Sequence, residues 1–332
     1  MLPIIGISYG DAAGVGPELI ARLIAKHAFT GCCRPLLIGD ARVFCQGMEL
    51  IGQQMPLHVI RRAEEAVYGD APDVLDIRSL SPEDYTLGKE QTCCGEDAYQ
   101  SMKHALDLLK AKKIAGFLYA PQNKTSFVMA GHELDSMDLI CRELEAREYG
   151  ELNVLDKVCT VRVTSHIPLK DVSAALDTEK ILRTIRFGDR CLRKMGFASR
   201  KIAVAGLNPH NGENGLCGTE ELEIIAPAVR AAQAEGIDAH GPFSPDTLFV
   251  RALKEGYDMV VTMYHDQGQI AMKLMDFRKI VTVIGGPDYP VATPAHGTAF
   301  GIAGKGIADT SATEYALRLI CRAAASAEKS GG

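Results

Sequence analysis

The chain alternates short, nearly uninterrupted apolar runs with longer stretches of helical period, and this confines it to an α/β fold. Residues 3–7, 35–39, 117–119, 158–163, 201–207, 258–263 and 279–284 read as strands. Residues 17–26, 97–110, 178–195, 219–234 and 311–325 read as helices. Strands apolar on both sides of the pleat must be covered on both faces, so the sheet is mostly parallel with helices above and below. A chain of 332 residues is long enough for two domains, or for one large unit with a cleft. No Ser/Gly-rich linker divides it, which favours an inserted second domain over a tandem one.

Composition excludes several function classes. With 47% apolar and 23% charged residues the chain can build a core, so disorder is ruled out. A net charge of -6 and the lack of any long Lys/Arg run give no electrostatic reason for nucleic-acid binding. The N-terminal apolar run has no basic flank and soon meets Asp11, and no stretch suits a membrane span. A cytoplasmic protein without membrane partners is therefore expected. Ten cysteines include the adjacent pairs Cys32-Cys33 and Cys93-Cys94, but no C-x-x-C. They read as reduced, mostly buried thiols rather than a disulfide or zinc framework.

The chemistry should lie beyond the carboxyl ends of the strands. Three of these ends run into TSHIPL, NPHNGE and YHDQG. Parallel pairing would bring His166, His210 and His265 to one sheet edge. Three imidazoles suit a divalent metal with positions left open for substrate. A single loop histidine is more often structural; three at one edge are not. His27, His58 and His104 read as solvated, while His132 and His240 stay undecided. In residues 10–18, Gly10, Gly14 and Gly16 allow a tight strand-to-helix turn. Their spacing is G-x-x-x-G-x-G rather than the dinucleotide G-x-G-x-x-G, so the loop is either a structural turn or part of a cleft wall. Residues 296–308 hold four glycines among small residues, which lets backbone lie close to a flat ligand.

Together GDAAGVGPE, Asn123-Lys124, TSHIPL, LNPHNGENG, GPFSPDTLF, YHDQG and HGTAFGIAGKGIAD resemble the 4-hydroxythreonine-4-phosphate dehydrogenase (PdxA) family, in register from about residue 4 to residue 325. The last motif is also similar to a loop of isopropylmalate dehydrogenases. The resemblance implies two α/β/α domains flanking a cleft, in an isocitrate/isopropylmalate dehydrogenase-like fold. The first would span residues 1–125 plus 275–332, and the second residues 126–274 with the metal histidines. It further implies a homodimer with its active site at the subunit interface. A divalent metal, zinc or alternatively magnesium or another ion, would be held by His166, His210 and His265, the last from the neighbouring subunit. NAD or NADP would lie near His296, Gly297, Thr298, Gly304 and Lys305. The family oxidises a secondary alcohol β to a carboxylate, after which carbon dioxide is lost. Lys273 matches a substrate-binding lysine of the family. Lys124 and Asp246 are candidates for proton transfer, although Asp246 equally suits a helix-capping role.

The departures fall on substrate recognition. Where the family carries a substrate-binding His-Thr pair, this chain has Met137 and Asp138. The family's asparagine and arginine are likewise missing from residues 281–296. Losing these donors while gaining a carboxylate disfavours a phosphate group. The expectation is a metal-assisted, NAD(P)-dependent dehydrogenase of a small carboxylated substrate, either a hydroxy acid or a carboxylated diol. The alternative is an authentic 4-hydroxythreonine-4-phosphate dehydrogenase of pyridoxal phosphate biosynthesis.

Overall fold

The computed structural model describes residues 2–330 apart from 133, 134 and 157. The chain forms two compact units, Met1–Gly150 with Val281–Gly332, and Glu151–Ile280. In the first unit β1 (Ile4–Ser8) pairs in parallel with β2 (Arg34–Gly39) on one side and β5 (Gly116–Tyr119) on the other. Beyond β2 lie β4 (Asp73–Asp76) and then β3 (His58–Ile60), also parallel. Beyond β5 lies β12 (Val291–Pro294), which runs antiparallel to β11 (Val281–Gly285). The sheet therefore spreads in opposite directions from β1 and β5, and a doubly wound sheet opens a crevice at such a switch point.

The helices of this unit are α1 (Gly16–Ala25), α2 (Ala41–Leu50), α3 (Thr92–Lys110), α4 (Lys124–Met129), α5 (Ser136–Glu143) and α10 (Ser311–Ser330). The apolar face of α3, with Ala98, Met102, Ala105, Leu106 and Leu109, packs with Leu36, Ile38, Phe117 and Tyr119 of the sheet. Phe127, Leu139, Ile140 and Cys141 join the same core. Residues 126–150, expected in the second domain, thus belong to the first unit, because α4 and α5 bury their apolar sides there.

The second unit holds β6 (Gly150–Leu155), β7 (Val158–Arg162), β8 (Ile202–Ala205), β9 (Ala239–Phe243) and β10 (Met259–Thr262). Its order is β6-β7-β10-β8-β9, parallel except for β6 against β7. Its helices are α6 (Thr178–Lys194), α7 (Ala226–Ala234), α8 (Pro245–Glu255) and α9 (His265–Asp276). Ala203, Ala205, Leu248, Ala252, Val260 and Met272 share one core between the sheet, α8 and α9. Among the described residues no helix is long and apolar enough to cross a membrane.

At the head of β1 and β2 lies a buried polar knot. The Tyr9 hydroxyl donates to Asp97 Oδ1 at 3.0 Å and accepts from the Asp40 backbone N–H at 3.0 Å. The Ser79 hydroxyl also donates to Asp97. Loss of water pushes the Asp97 carboxyl up to about 7 and that of nearby Asp11 up to about 6. A carboxyl raised in this way favours the fold while protonated, so its contribution fades as pH climbs from about 4 to about 7. Asp97→Asn keeps an oxygen for Tyr9 and Ser79 and cannot ionise. Relative to the unmodified chain it should gain on the order of 2–4 kcal/mol between about pH 4.5 and about pH 8. Urea unfolding at the two pH values checks this; parallel pH profiles for the two proteins contradict it.

Candidate functional site

Register decides where the three histidine loops emerge. Thr262 of β10 lies opposite Arg162 of β7, and Val261 opposite Val204 of β8, so all three strands end at the same edge. His166 and His210 follow β7 and β8, and His265 opens α9 directly after β10. The Thr164 hydroxyl donates to Met263 O at 2.7 Å, and its N–H donates to the same carbonyl at 3.1 Å, clamping the first and third loops. The His166 and His265 rings tilt towards each other with centroids 5.9 Å apart. Among the described residues the three imidazoles do not gather within the 4.8 Å spread of a shared ion. The resemblance places the third of these ligands on a neighbouring subunit, so a single chain is not expected to gather all three. Strand β10 stands between β7 and β8, which sets their ends two strand spacings, roughly 10 Å, apart.

Each loop is held by a side chain that motif reading passed over. Arg162 donates to Asn153 Oδ1 at 2.8 Å and to Ser165 Oγ at 2.9 Å, and it also pairs with Glu151. That fixes the residue immediately before His166. Gln267 joins the other two loops: its Oε1 accepts from Met263 N at 2.7 Å and its Nε2 donates to Gly206 O at 2.8 Å. The His210 loop is the most unusual. His210, Asn211, Gly212, Glu213 and Asn214 all have positive φ, a left-handed turn in which only one residue is glycine. Such a conformation costs about 1–2 kcal/mol per residue with a side chain and persists only when its surroundings impose it. Glu221, only 1% exposed, braces the residues that lead into it. Its Oε1 accepts from Leu207 N at 2.7 Å and Asn208 N at 2.6 Å, and its Oε2 accepts from Asn208 Nδ2 at 3.0 Å.

In the first unit the glycine-rich loops at residues 10–18 and 296–308 interlock. Gly14 packs on Thr298, and Val15 N donates to Thr298 O at 3.0 Å. Buried Glu18 accepts from Gly306 N at 3.1 Å and Ala308 N at 2.8 Å. Residues 10–18 are therefore a structural clamp on the later loop. A side chain at Gly297 or Gly301 would meet nothing within 4 Å, so the backbone there is open on one side. Lys305 Nζ donates to Gly301 O at 2.8 Å, and His296 Nδ1 meets Gly297 O at 3.0 Å.

Comparison with known proteins agrees with this arrangement. The family model described as "Pyridoxal phosphate biosynthetic protein PdxA" matches residues 31–320. The chain belongs to the PdxA family. A Rhizobium meliloti member, named "Putative 4-hydroxythreonine-4-phosphate dehydrogenase 2", is 44% identical, covering 97% of this chain and 93% of its own. The D-threonate 4-phosphate dehydrogenase of Cupriavidus necator is 38% identical, with 96% of both chains covered. A crystal structure of 4-hydroxythreonine-4-phosphate dehydrogenase from Klebsiella pneumoniae superposes with a TM-score of 0.87, at 34% identity and 98% coverage of both chains. A beta-decarboxylating dehydrogenase from Thermococcus kodakarensis shares the fold alone, with a TM-score of 0.52 at 15% identity over 95% of this chain and 82% of its own.

Against the PdxA pattern the other expected residues fall as follows. Lys124 is exposed and paired with Asp135 at 3.0 Å. Asp246 is exposed in the first turn of α8, where Ser244 is the N-cap residue, so it is not itself the cap. The Ser244 hydroxyl, at 2.7 Å, holds its carboxyl below the usual range, and the charge of His210 adds to this. Lys273 is exposed on α9. Met137 is half-buried and packs against the core that α3 shares with the sheet. Asp138 accepts from the Tyr149 hydroxyl at 3.2 Å. His132 stacks on Tyr99 with centroids 3.7 Å apart and meets Glu96 at 2.8 Å, and His58 meets buried Asp73 at 2.6 Å; both are structural.

The donor set fits a divalent ion. The His265 Nδ1 side meets Asp266 at 2.6 Å, a contact that fixes the ring and leaves Nε2 for a ligand. Glu221→Ala should leave two loop N–H groups unpaired and cost about 2–4 kcal/mol. The same change should weaken zinc binding more than Glu223→Ala, on the exposed side of the same turn. Urea unfolding together with zinc titration calorimetry checks both, and equal zinc affinity in the two variants would contradict the assignment.

Proposed function

We propose that this chain is an NAD(P)-dependent dehydrogenase of a 4-phosphorylated hydroxy acid of the D-threonate 4-phosphate kind, assisted by a divalent metal held by His166, His210 and His265. The observation that carries this reading is the trio of strand-end histidines on their braced loops, in a chain 38% identical to a D-threonate 4-phosphate dehydrogenase. Oxidation of 4-hydroxythreonine 4-phosphate is the second reading, favoured by the name of the 44% identical relative. Both names weigh against the unphosphorylated substrate expected from Met137 and Asp138. Because a methionine and an ionised aspartate offer no hydrogen-bond donor, the substrate must find its phosphate donors elsewhere in the chain.

The residues have separable tasks. A bound metal lowers the pKa of a coordinated alcohol and polarises the carbonyl that forms, which also favours later loss of carbon dioxide. The open backbone at Gly297 and Gly301 accepts the flat cofactor that takes the hydride. Lys273 supplies charge for a substrate carboxylate. Asp246, held ionised by Ser244, serves as an electrostatic partner of His210. Lys124 is left to move a proton once it parts from Asp135.

One chain does not gather the three imidazoles, and we assign the missing ligand to a second copy. Helix α9 begins at His265 and exposes Ile270, Leu274 and Phe277 by 60, 82 and 63%. Their i, i+4, i+7 spacing makes an apolar stripe on one helix face, the signature of a buried helix contact.

With added zinc or magnesium, D-threonate 4-phosphate should reduce NAD or NADP, seen as a rise in nicotinamide absorbance. Unphosphorylated D-threonate should not. His166→Ala and His210→Ala should each lower the rate by roughly 100-fold or more. Turnover that leaves the absorbance flat would refute hydride transfer. Leu274→Glu should give a monomer by light scattering and lose the metal-dependent activity; an active monomer would refute the shared site.

A further inference from the structure

All ten cysteines are free, and one group of them is not scattered. Cys32 and Cys33 lie in the connection between α1 and β2, and Cys321 lies on α10. Their three Sγ atoms all fall within 4.8 Å of one another, the one set of three metal-ligating groups so placed among the described residues. The histidine trio is in the other unit, so this cluster is separate from it.

We propose that Cys32, Cys33 and Cys321 bind one thiophilic cation, of the zinc or monovalent copper class. Thiolates around such an ion, with metal–sulfur bonds of about 2.3 Å, stand roughly 4 Å apart, and the three sulfurs here, all within 4.8 Å of one another, are close enough to close on it. Soft sulfur donors select these ions over magnesium or calcium. Cys33 and Cys321 are buried and Cys32 is half-buried, so the cluster is enclosed but reachable. A cavity of about 260 Å³, lined by His27, Phe29 and Tyr68 among others, has Cys33 in its wall. Each thiol that ligates the ion gives its proton to solvent, so binding strengthens as pH rises. A disulfide would use only two of the three sulfurs, and the adjacent pair Cys32-Cys33 is the one least suited to it.

Cobalt(II) alone, added to the reduced full-length protein without air, is the probe. Thiolate ligands give a near-ultraviolet charge-transfer band that imidazole ligands do not, so the histidine site is silent in this readout. The band should form in the unmodified protein, survive in His210→Ala and saturate there at one equivalent, and disappear when zinc is added. It should be lost in Cys321→Ser and in the less buried Cys32→Ser, each checked for folding by circular dichroism. Absence of the band in the unmodified protein overturns the proposal. So does a band that persists in both serine variants, or formation of a Cys32–Cys321 disulfide under peroxide in protein that shows no band.

Discussion

The parallel pairing of β7, β10 and β8 is the constraint from which the rest follows. Backbone hydrogen bonding fixes the register, and the register fixes which residues stand one loop beyond the sheet edge. It also limits what those residues can do. Side chains from adjacent strand ends can meet, as His166 and His265 do. A residue from the far side of the intervening strand must be carried across by its loop. The local chemistry of the His210 loop is a response to that limit.

Both glycine-bearing loops at the sheet edges are secured in the same way, by a buried carboxylate that accepts backbone N–H groups. Glu221 does this for residues 207–208 and Glu18 for residues 306–308. A carboxylate offers several lone-pair sites and no donor, so it can satisfy N–H groups that an irregular loop cannot pair with itself. Charge-assisted bonds of this kind are about twice as strong as neutral ones. Glycine supplies close approach and glutamate supplies the hold. At Gly16 a single added carbon would lie 1.7 Å from Tyr9 O, so α1 can begin against β1 only because no side chain stands there.

Most of the parallel sheet was legible in the sequence because its strands are buried on both faces and therefore apolar throughout. The strands β1, β2, β5, β7, β8 and β10 all announce themselves in this way. The antiparallel strands β6 and β12 do not, since GELNVL and VATP mix polar residues and proline with apolar ones. The histidine trio was legible as residues at strand ends; the order of those strands was not, because spacing along the sequence does not reveal which strands are neighbours. Glu18 and Glu221 gave no signal, since a lone glutamate in a helical stretch reads as solvated until its burial is known. The unit boundary was misplaced for a related reason: α4 and α5 are short, and which core they join depends on where Phe127, Leu139 and Ile140 point.

The stripe on α9 and the separation of the histidines explain each other better than either is explained alone. A helix that exposes Leu274 and Phe277 to water forgoes about 25 cal/mol for every Å² left uncovered. A metal site with one ligand too far away loses most of its affinity. In the proposed dimer, docking a second copy on the face of α9 would remove both defects at once, because the helix that carries the stripe also begins with His265. Burial of the stripe and completion of the ligand set would then become one event. Affinity for the ion and affinity between subunits would rise and fall together, as linked equilibria must.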